Sequence, residues 1–319
     1  MTTFKGIRGT AIQSVSSDPS NPEVGQIWYN NTIGVLKGYR SIGGAWASGG
    51  NLNTSRATTG GGGTTNAGLA VGGDGNGSTS TEEYDGSVWT SGGALTLKRV
   101  NVGTAGSQTA NLAYGGNPDS VVTNATEEYD GTSWTNGGNM ANSKRNRAGG
   151  IGTQTAGLAA GGYPDTTATE EYDGSTWASG GALGTAQYAG AGAGIQTAGL
   201  LMGGGSPTTY PTSKKYDGTT WTAGSNLNLA LGRAGGCGTQ TAALGFGTGP
   251  SVNQVESYNG TTFTTLPATM SIGRTDFAAG IQGSPASTFA AGGNIPTGTT
   301  AATEEWTDPS YATQKITTS

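Results

Sequence analysis

The sequence predicts an all-β protein made of six four-stranded blades, a β-propeller. Three observations predict it. The block Tyr-Asp-Gly-x-x-Trp recurs at Tyr84, Tyr129, Tyr172 and Tyr216, with a worn copy at Tyr258-Asn259-Gly260…Phe263. The steps between these tyrosines are 45, 43, 44 and 42 residues, a period that means one supersecondary unit per repeat. Inside each period the residues read as four short strands, and no helical periodicity occurs anywhere. A further slot falls at Trp306, 48 residues on, and an earlier one at Tyr39, 45 residues before Tyr84, with Trp46 behind it.

Residues 147–180 give the cleanest unit. Arg147-Ala148-Gly149-Gly150-Ile151-Gly152 is a first strand of small residues, followed by the polar turn Thr153-Gln154-Thr155. Ala156 to Gly162 is a second strand ending in a glycine pair. A loop from Tyr163 to Ala168 leads to the alternating third strand Thr169-Glu170-Glu171-Tyr172. Asp173-Gly174 is a hairpin signal, and Trp177 lies on the fourth strand. The glycine content has a physical cause in this arrangement. First strands crowd around a narrow axis where large side chains would collide, so backbones must approach closely. Outer strands supply the Tyr and Trp that fill the wedge between neighbouring blades. Trp46, Trp89, Trp134, Trp177 and Trp221 share one slot, which marks them as structural.

Here the chain resembles the kelch repeat. The resemblance rests on the glycine pairs Gly72-Gly73, Gly115-Gly116, Gly161-Gly162, Gly203-Gly204 and Gly292-Gly293, with Gly247-Thr248 degenerate, the first four followed by Tyr-Asp and a Trp. It extends to leading basic residues at Arg56, Arg99, Arg147, Arg233 and Arg274, with Tyr188 in the fourth slot. It implies the propeller fold and says almost nothing of function, since one fold hosts many functions.

Six glycine-pair strands imply six blades. The sixth has a third strand, Thr303-Glu304-Glu305-Trp306, but lacks a Trp-bearing fourth. Either Ala312 to Thr318 or Ala45-Trp46-Ala47 can fill it, and the N-terminal segment is favoured because it would close the ring. A seven-blade ring is the alternative, using Gln26 to Tyr29, Val35 to Tyr39 and Trp46 as a separate blade. Residues 1–25 are expected to be a docking arm and residues 26–319 the propeller.

Composition narrows the chemistry. With 61 glycines in 319 residues and 11% charged residues, composition alone would suggest disorder, but regular aromatic spacing argues against it. The net charge of −5 without a basic cluster argues against nucleic acid. No apolar run reaches the roughly 20 residues needed to insert across a bilayer, and the N-terminus lacks a secretory stretch. There is no histidine, so the commonest general base and metal ligand is absent. The copper-containing galactose oxidases share the propeller architecture, but their type of copper site uses histidines. Cys237 is alone and reads as a small buried residue. The Glu-Glu pairs cannot serve as converging acids, because adjacent strand residues point to opposite faces. Asp-Gly-Thr-Ser offers too few oxygens for calcium and reads as a turn. No enzyme activity, cofactor or metal is expected.

Charge covaries between repeats. Where Tyr188 replaces the leading Arg, Lys214-Lys215 replaces Glu-Glu, which suggests that the Arg normally meets a third-strand Glu. A ring of Arg open to an anionic ligand is the other reading. Recognition is expected at the variable links between second and third strands, because variable loops on a rigid scaffold carry binding. Tyr163 and Tyr210 are the candidate aromatic contacts there, and Arg147 and Arg233 the candidate charges.

Ser17 to Asn30, with Gly25-Gln26-Ile27-Trp28-Tyr29-Asn30 leading to Gly34-Val35-Leu36-Lys37, is similar to a segment of bacteriophage virion proteins, notably tail-fibre and appendage proteins of marine phages. Ile27-Trp28-Tyr29 can also be read as one more propeller strand. The virion resemblance implies a non-enzymatic protein made in the host cytoplasm and carried in the virion in multiple copies. Its N-terminal arm would dock other virion proteins, and its propeller would meet a host surface glycan or protein. A capsid decoration or head-fibre protein is the alternative within the virion, and a free lectin-like propeller the alternative outside it.

Overall fold

A computed structural model describes residues 12–19, 26–41, 44–74, 77–142, 150–163, 166–205, 209–247, 252–307 and 311–315. The chain divides into two compact units: one is Ala45–Asp308, and the other joins residues up to 44 with residues from 309 onward. The fold is all-β. Among the described residues there is no α-helix, only a single 3-10 turn at Pro118–Ser120. Seven four-stranded sheets form, and the blade-like arrangement fits a β-propeller.

Six of the sheets lie within Ala45–Asp308, one per repeat. The first is Gly60–Thr64, Ala67–Val71, Thr81–Tyr84 and Trp89–Ser91. The second is Gly103–Gly106, Asn111–Tyr114, Thr126–Tyr129 and Trp134–Asn136. The third is Ile151–Thr153, Ala156–Ala160, Thr169–Tyr172 and Trp177–Ser179. The fourth is Ala191–Ile195, Ala198–Met202, Ser213–Tyr216 and Trp221–Ala223. The fifth is Gly235–Gly238, Ala243–Phe246, Val255–Tyr258 and Phe263–Thr265. The sixth takes Ala278–Ala279, Ser287–Ala291 and Thr303–Thr307 from its own repeat and Ala45–Ser48 as its fourth strand. Trp46 stands opposite Trp306 in that antiparallel pair. The C-terminal candidate for this position goes elsewhere: Tyr311–Lys315 pairs with Val35–Ser41.

The seventh sheet belongs to the other unit. Ile27–Asn30 and Val35–Ser41 form a hairpin, with Gln13–Val15 added in parallel on one side and Tyr311–Lys315 antiparallel on the other. Asp18 organises it, accepting from Lys37 Nζ at 2.6 Å, Trp28 Nε1 at 3.0 Å and Asn30 Nδ2 at 2.9 Å. Those bonds, the Lys37 one foremost, hold its carboxyl down at about 2.

First strands of consecutive repeats touch in the order one to six, and the sixth touches the first. Small residues permit this. A Cβ built on Gly61 would lie 2.3 Å from the Ala279 nitrogen, and one on Gly150 would lie 1.7 Å from the Thr104 carbonyl. Just before four of the first strands a backbone link runs between repeats: Arg233 N–H to Ala189 O, Asp276 to Arg233, Thr58 to Asp276 and Asn101 to Thr58, at 2.7 to 3.0 Å.

Aromatic side chains fill the space between adjacent sheets. Tyr84 stacks on Trp89 at 4.8 Å, and Tyr129 on Trp134 at 4.8 Å. Four indole N–H groups reach the preceding repeat: Trp89 donates to Thr303, Trp134 to Thr81, Trp177 to Thr126 and Trp221 to Thr169, all at 2.9 Å. The tyrosine hydroxyls do the same, Tyr84 to Glu305, Tyr129 to Glu83, Tyr172 to Glu128 and Tyr216 to Glu171. The second Glu of each pair therefore joins neighbouring repeats. On the tight-turn side, Gln108, Gln154, Gln196 and Gln240 each donate to two carbonyls of the preceding repeat. Asp217 closes its turn by accepting the N–H groups of Thr219 and Thr220 at 2.8 and 2.7 Å, and Asp85, Asp130 and Asp173 act alike.

Candidate functional site

Antiparallel pairing puts the tight turns at one end of each sheet and the long connections at the other. The residues that open each repeat lie at the long-connection end. There Arg56, Arg99 and Arg274 are fully buried and pair with Glu82, Glu127 and Glu304 of the third strand at 3.0, 2.8 and 2.5 Å. Each also donates to carbonyls flanking its own loop, as Arg99 Nη1 does to Gly115 and Ala125 at 2.7 Å. Burial pulls these guanidinium groups below their usual range while the carboxylates oppose the shift. The Arg–Glu partnership inferred from covariation is therefore present, and these three arginines brace loops rather than face a ligand.

The slot assignment needs correction in two repeats. The carbonyl of the leading residue accepts an N–H from the preceding repeat's glycine pair, as Arg99 O accepts from Gly73 at 2.8 Å. By that bond the leading residue of the fourth repeat is Gln187, which Gly162 contacts, and that of the fifth is Leu231, which Gly204 contacts. Tyr188 and Arg233, which the sequence alone puts in these slots, stand one and two residues further on. Without an Arg, buried Glu256 takes the N–H groups of Asn228 and Leu229 at 2.9 and 2.5 Å, and burial raises its carboxyl.

Arg233 occupies a different, equally regular position, two residues after the leading slot. Thr58, Asn101, Ala189, Arg233 and Asp276 all hold it, with φ between 57° and 61°. This left-handed backbone is costly for residues other than glycine, and at Thr58, Asn101, Arg233 and Asp276 it aims the N–H at the preceding repeat. These positions surround the start of the first strands. A cavity of about 40 Å³ lies there, with Thr58, Thr59, Asn101, Arg233, Asp276 and Phe277 in its wall. Arg233 Nη1 stands 3.6 Å from Asp276 Oδ2; the Arg side chain is 41% exposed and the Asp 1%. Asp276 Oδ2 also accepts from Asn294 Nδ2 at 3.0 Å and Thr275 Oγ1 at 3.1 Å.

Of the four residues singled out in the sequence, Tyr163 and Tyr210 sit in the long connections of adjacent repeats, 42% and 46% exposed. Tyr163 packs edge-on to Tyr188 at 5.7 Å, a pairing that the sequence does not signal, since Tyr188 reads there as a leading residue. Arg147 lies outside the described residues. Asn101, Thr59 and Asp276 were also missed, since none stands out from its neighbours without the left-handed turn that gathers them. Among the described residues no three His, Cys, Asp or Glu come together as a metal site, and no helix is long and apolar enough to cross a membrane.

No protein-family model matches the chain, and no curated protein matches it significantly in sequence.

Proposed function

We propose that residues 45–308 close into a kelch-like six-bladed propeller, and that the chain is a non-enzymatic bacteriophage virion protein displaying it for host attachment. Closure is supported by the Thr58 to Asp276 backbone link between the first and sixth repeats, joined by Gln282 N–H to Gly63 O at 3.0 Å. Six blades rather than seven are favoured by Trp46, which pairs into the sixth sheet.

The observation that carries the virion reading is the hairpin of Ile27–Asn30 and Val35–Ser41. It belongs to a compact unit separate from Ala45–Asp308, as a docking element would, and is no strand of the repeat sheets. It includes the Gly-x-Ile-Trp-Tyr-Asn and Gly-x-Leu-Lys steps that resemble phage appendage proteins. In this reading the N-terminal part docks other virion proteins, many copies decorate each particle, and the long-connection end meets a host surface glycan or protein. Exposed Tyr163 and Tyr210, which serve no repeat function, are the aromatic contacts. No cofactor or metal takes part.

A loop exchange tests this. Replacing residues 163–165 and Tyr210-Pro211 with Gly-Ser should abolish adsorption of particles to the host while folding and incorporation into particles persist. Unchanged adsorption, with loss instead on mutation of the Asp-Gly turns, would place recognition at the opposite end. Loss from neither would favour a capsid decoration protein, and glycan binding by a chain absent from particles would favour a free lectin.

A further inference from the structure

We propose that a cleft on the outer strands of the fourth repeat binds the carboxylate of an acidic sugar, with Lys214 as its counter-charge. The inference rests on the attachment reading and names the class of glycan that is met. Two departures from the other repeats make the cleft. The first is Gly184. Asn53, Thr96, Ala141, Asn228 and Ser271 each give a backbone N–H to the first Glu of their own third strand. Gly184 holds the same position, since the residue before it, Leu183, gives its N–H to Thr167 O as Leu227 does to Pro211 O. Asn53 and Asn228 also span to the fourth strand, donating from Nδ2 to Trp89 O and Phe263 O at 3.0 and 3.1 Å. Gly184 has no side chain to fill that gap, and a Cβ built on it would meet nothing within 4 Å.

The second departure is Lys214, which stands in place of that glutamate. Its Nζ donates to Thr185 O at 3.1 Å and to Thr185 Oγ1 at 2.7 Å, which leaves one of its three donors without a partner among the described residues. Burial lowers its ammonium, and no carboxylate opposes the shift as one does at Arg56, Arg99 and Arg274. The cleft wall holds no Asp or Glu. A cation without a counter-charge, in a wall without acids, takes an anion. One lysine balances one negative charge, which suits a carboxylate better than a phosphate monoester carrying nearly two. The volume is about 350 Å³, too large for a bare ion and inside the roughly 300–1,000 Å³ range of small-ligand sites. Thr185, Thr212, Thr222 and Asn226 bring groups that both donate and accept, as sugar hydroxyls require, and half-buried Trp221 adds apolar wall. Thr212 ends the connection that bears exposed Tyr210, so the cleft lies at the long-connection end.

The full chain is titrated by calorimetry and NMR with the methyl glycosides of glucuronic, galacturonic and sialic acid, with their methyl esters, and with sodium acetate and inorganic phosphate. At least one acidic glycoside should bind, and its ester should bind at least about tenfold more weakly. Lys214→Met keeps the stem and removes the charge. Gly184→Asn refills the gap and leaves Lys214 in place. Each should weaken binding at least about tenfold. Gly184→Asn should keep the wild-type melting temperature, because the space there is open and its backbone is not left-handed. Four results would each overturn the proposal: no acidic glycoside bound, acid and ester bound alike, binding unchanged by Gly184→Asn, or acetate and phosphate bound as tightly as the glycosides. The two readings separate on host cells. Wild-type chain that adsorbs to cells while binding no acidic glycoside overturns the sugar site and leaves attachment standing. Wild-type chain that binds an acidic glycoside in this cleft but does not adsorb overturns attachment and leaves the sugar site standing.

Discussion

The hydroxyl of Tyr129 donates to the carboxylate of Glu83, one repeat earlier, and accepts the N–H of Gly93 at 3.2 Å. The same bond joins four successive pairs of repeats, from Glu305–Tyr84 to Glu171–Tyr216. It fails at the next junction. There Lys215 takes the glutamate position, donates to Gly260 O at 2.7 Å and lies over the Tyr258 ring at 5.4 Å, while the Tyr258 hydroxyl turns back to Gly260 O. The junctions are thus held by two chemistries, and substitution can compare them.

Tyr129→Phe should cost about 1.5–3 kcal/mol, the range for a hydrogen bond to a charged partner. Tyr258→Phe, which loses only a bond within its own turn, should cost about 0.5–1.5 kcal/mol. Urea unfolding of both variants measures this; equal losses would show that the tyrosine–glutamate bond does not hold repeats together.

Alkaline pH should act on the same bonds. Burial, helped by the neighbouring carboxylate, pushes the phenols of Tyr84, Tyr129 and Tyr216 up to about 12. An unfolded tyrosine titrates near 10. The folded state therefore keeps protons that the unfolded state releases, and this stabilisation is complete below about pH 10 and lost as pH rises through about 12. Calorimetric melting temperatures should hold steady up to the lower value and fall beyond it. A Tm unchanged across that interval would contradict the assignment.

Trp134 is 5% exposed, stacked on Tyr129 and bonded to Thr81. Trp134→Ala should cost about 3–5 kcal/mol in unfolding free energy. In the sixth sheet the equivalent indole, Trp46, has no hydrogen-bond partner among the described residues, and the residue in the threonine position is Val255. Val255→Thr should supply the acceptor and raise stability by about 0.5–1.5 kcal/mol. Destabilisation would mean that Trp46 sits differently from the other four indoles.

The repeat was legible because aromatic spacing and glycine pairs are sequence-local signals of strand order. The fourth strand of the last sheet was legible for the same reason: Trp46 occupied the indole slot. The inward position of Arg233 was not legible, because it depends on a left-handed backbone two residues past the leading slot and on Leu231 filling that slot. Nor was the cavity legible, since it joins Thr59, Asn101, Arg233 and Asp276 from four repeats through backbone links that leave no trace in composition. The sequence also allows Ile27-Trp28-Tyr29 to be read as one more propeller strand, because a short apolar strand carries no mark of which sheet it joins; here it pairs with Val35–Ser41.

Cys237 is fully buried, and burial raises its thiol to about 12. The native protein should resist a thiol reagent at neutral pH and react fully once unfolded in guanidinium. Rapid labelling of the native chain would show that the fifth sheet opens.

A reconstruction of the particle that carries this chain tests the central claim most directly. The account predicts six radial sheets for residues 45–308, joined between Ala45–Ser48 and Thr303–Thr307, with the end bearing Tyr163, Tyr210 and Arg233 facing outward. Particles without the chain, a seventh sheet within the ring, or that end buried against the particle would contradict it.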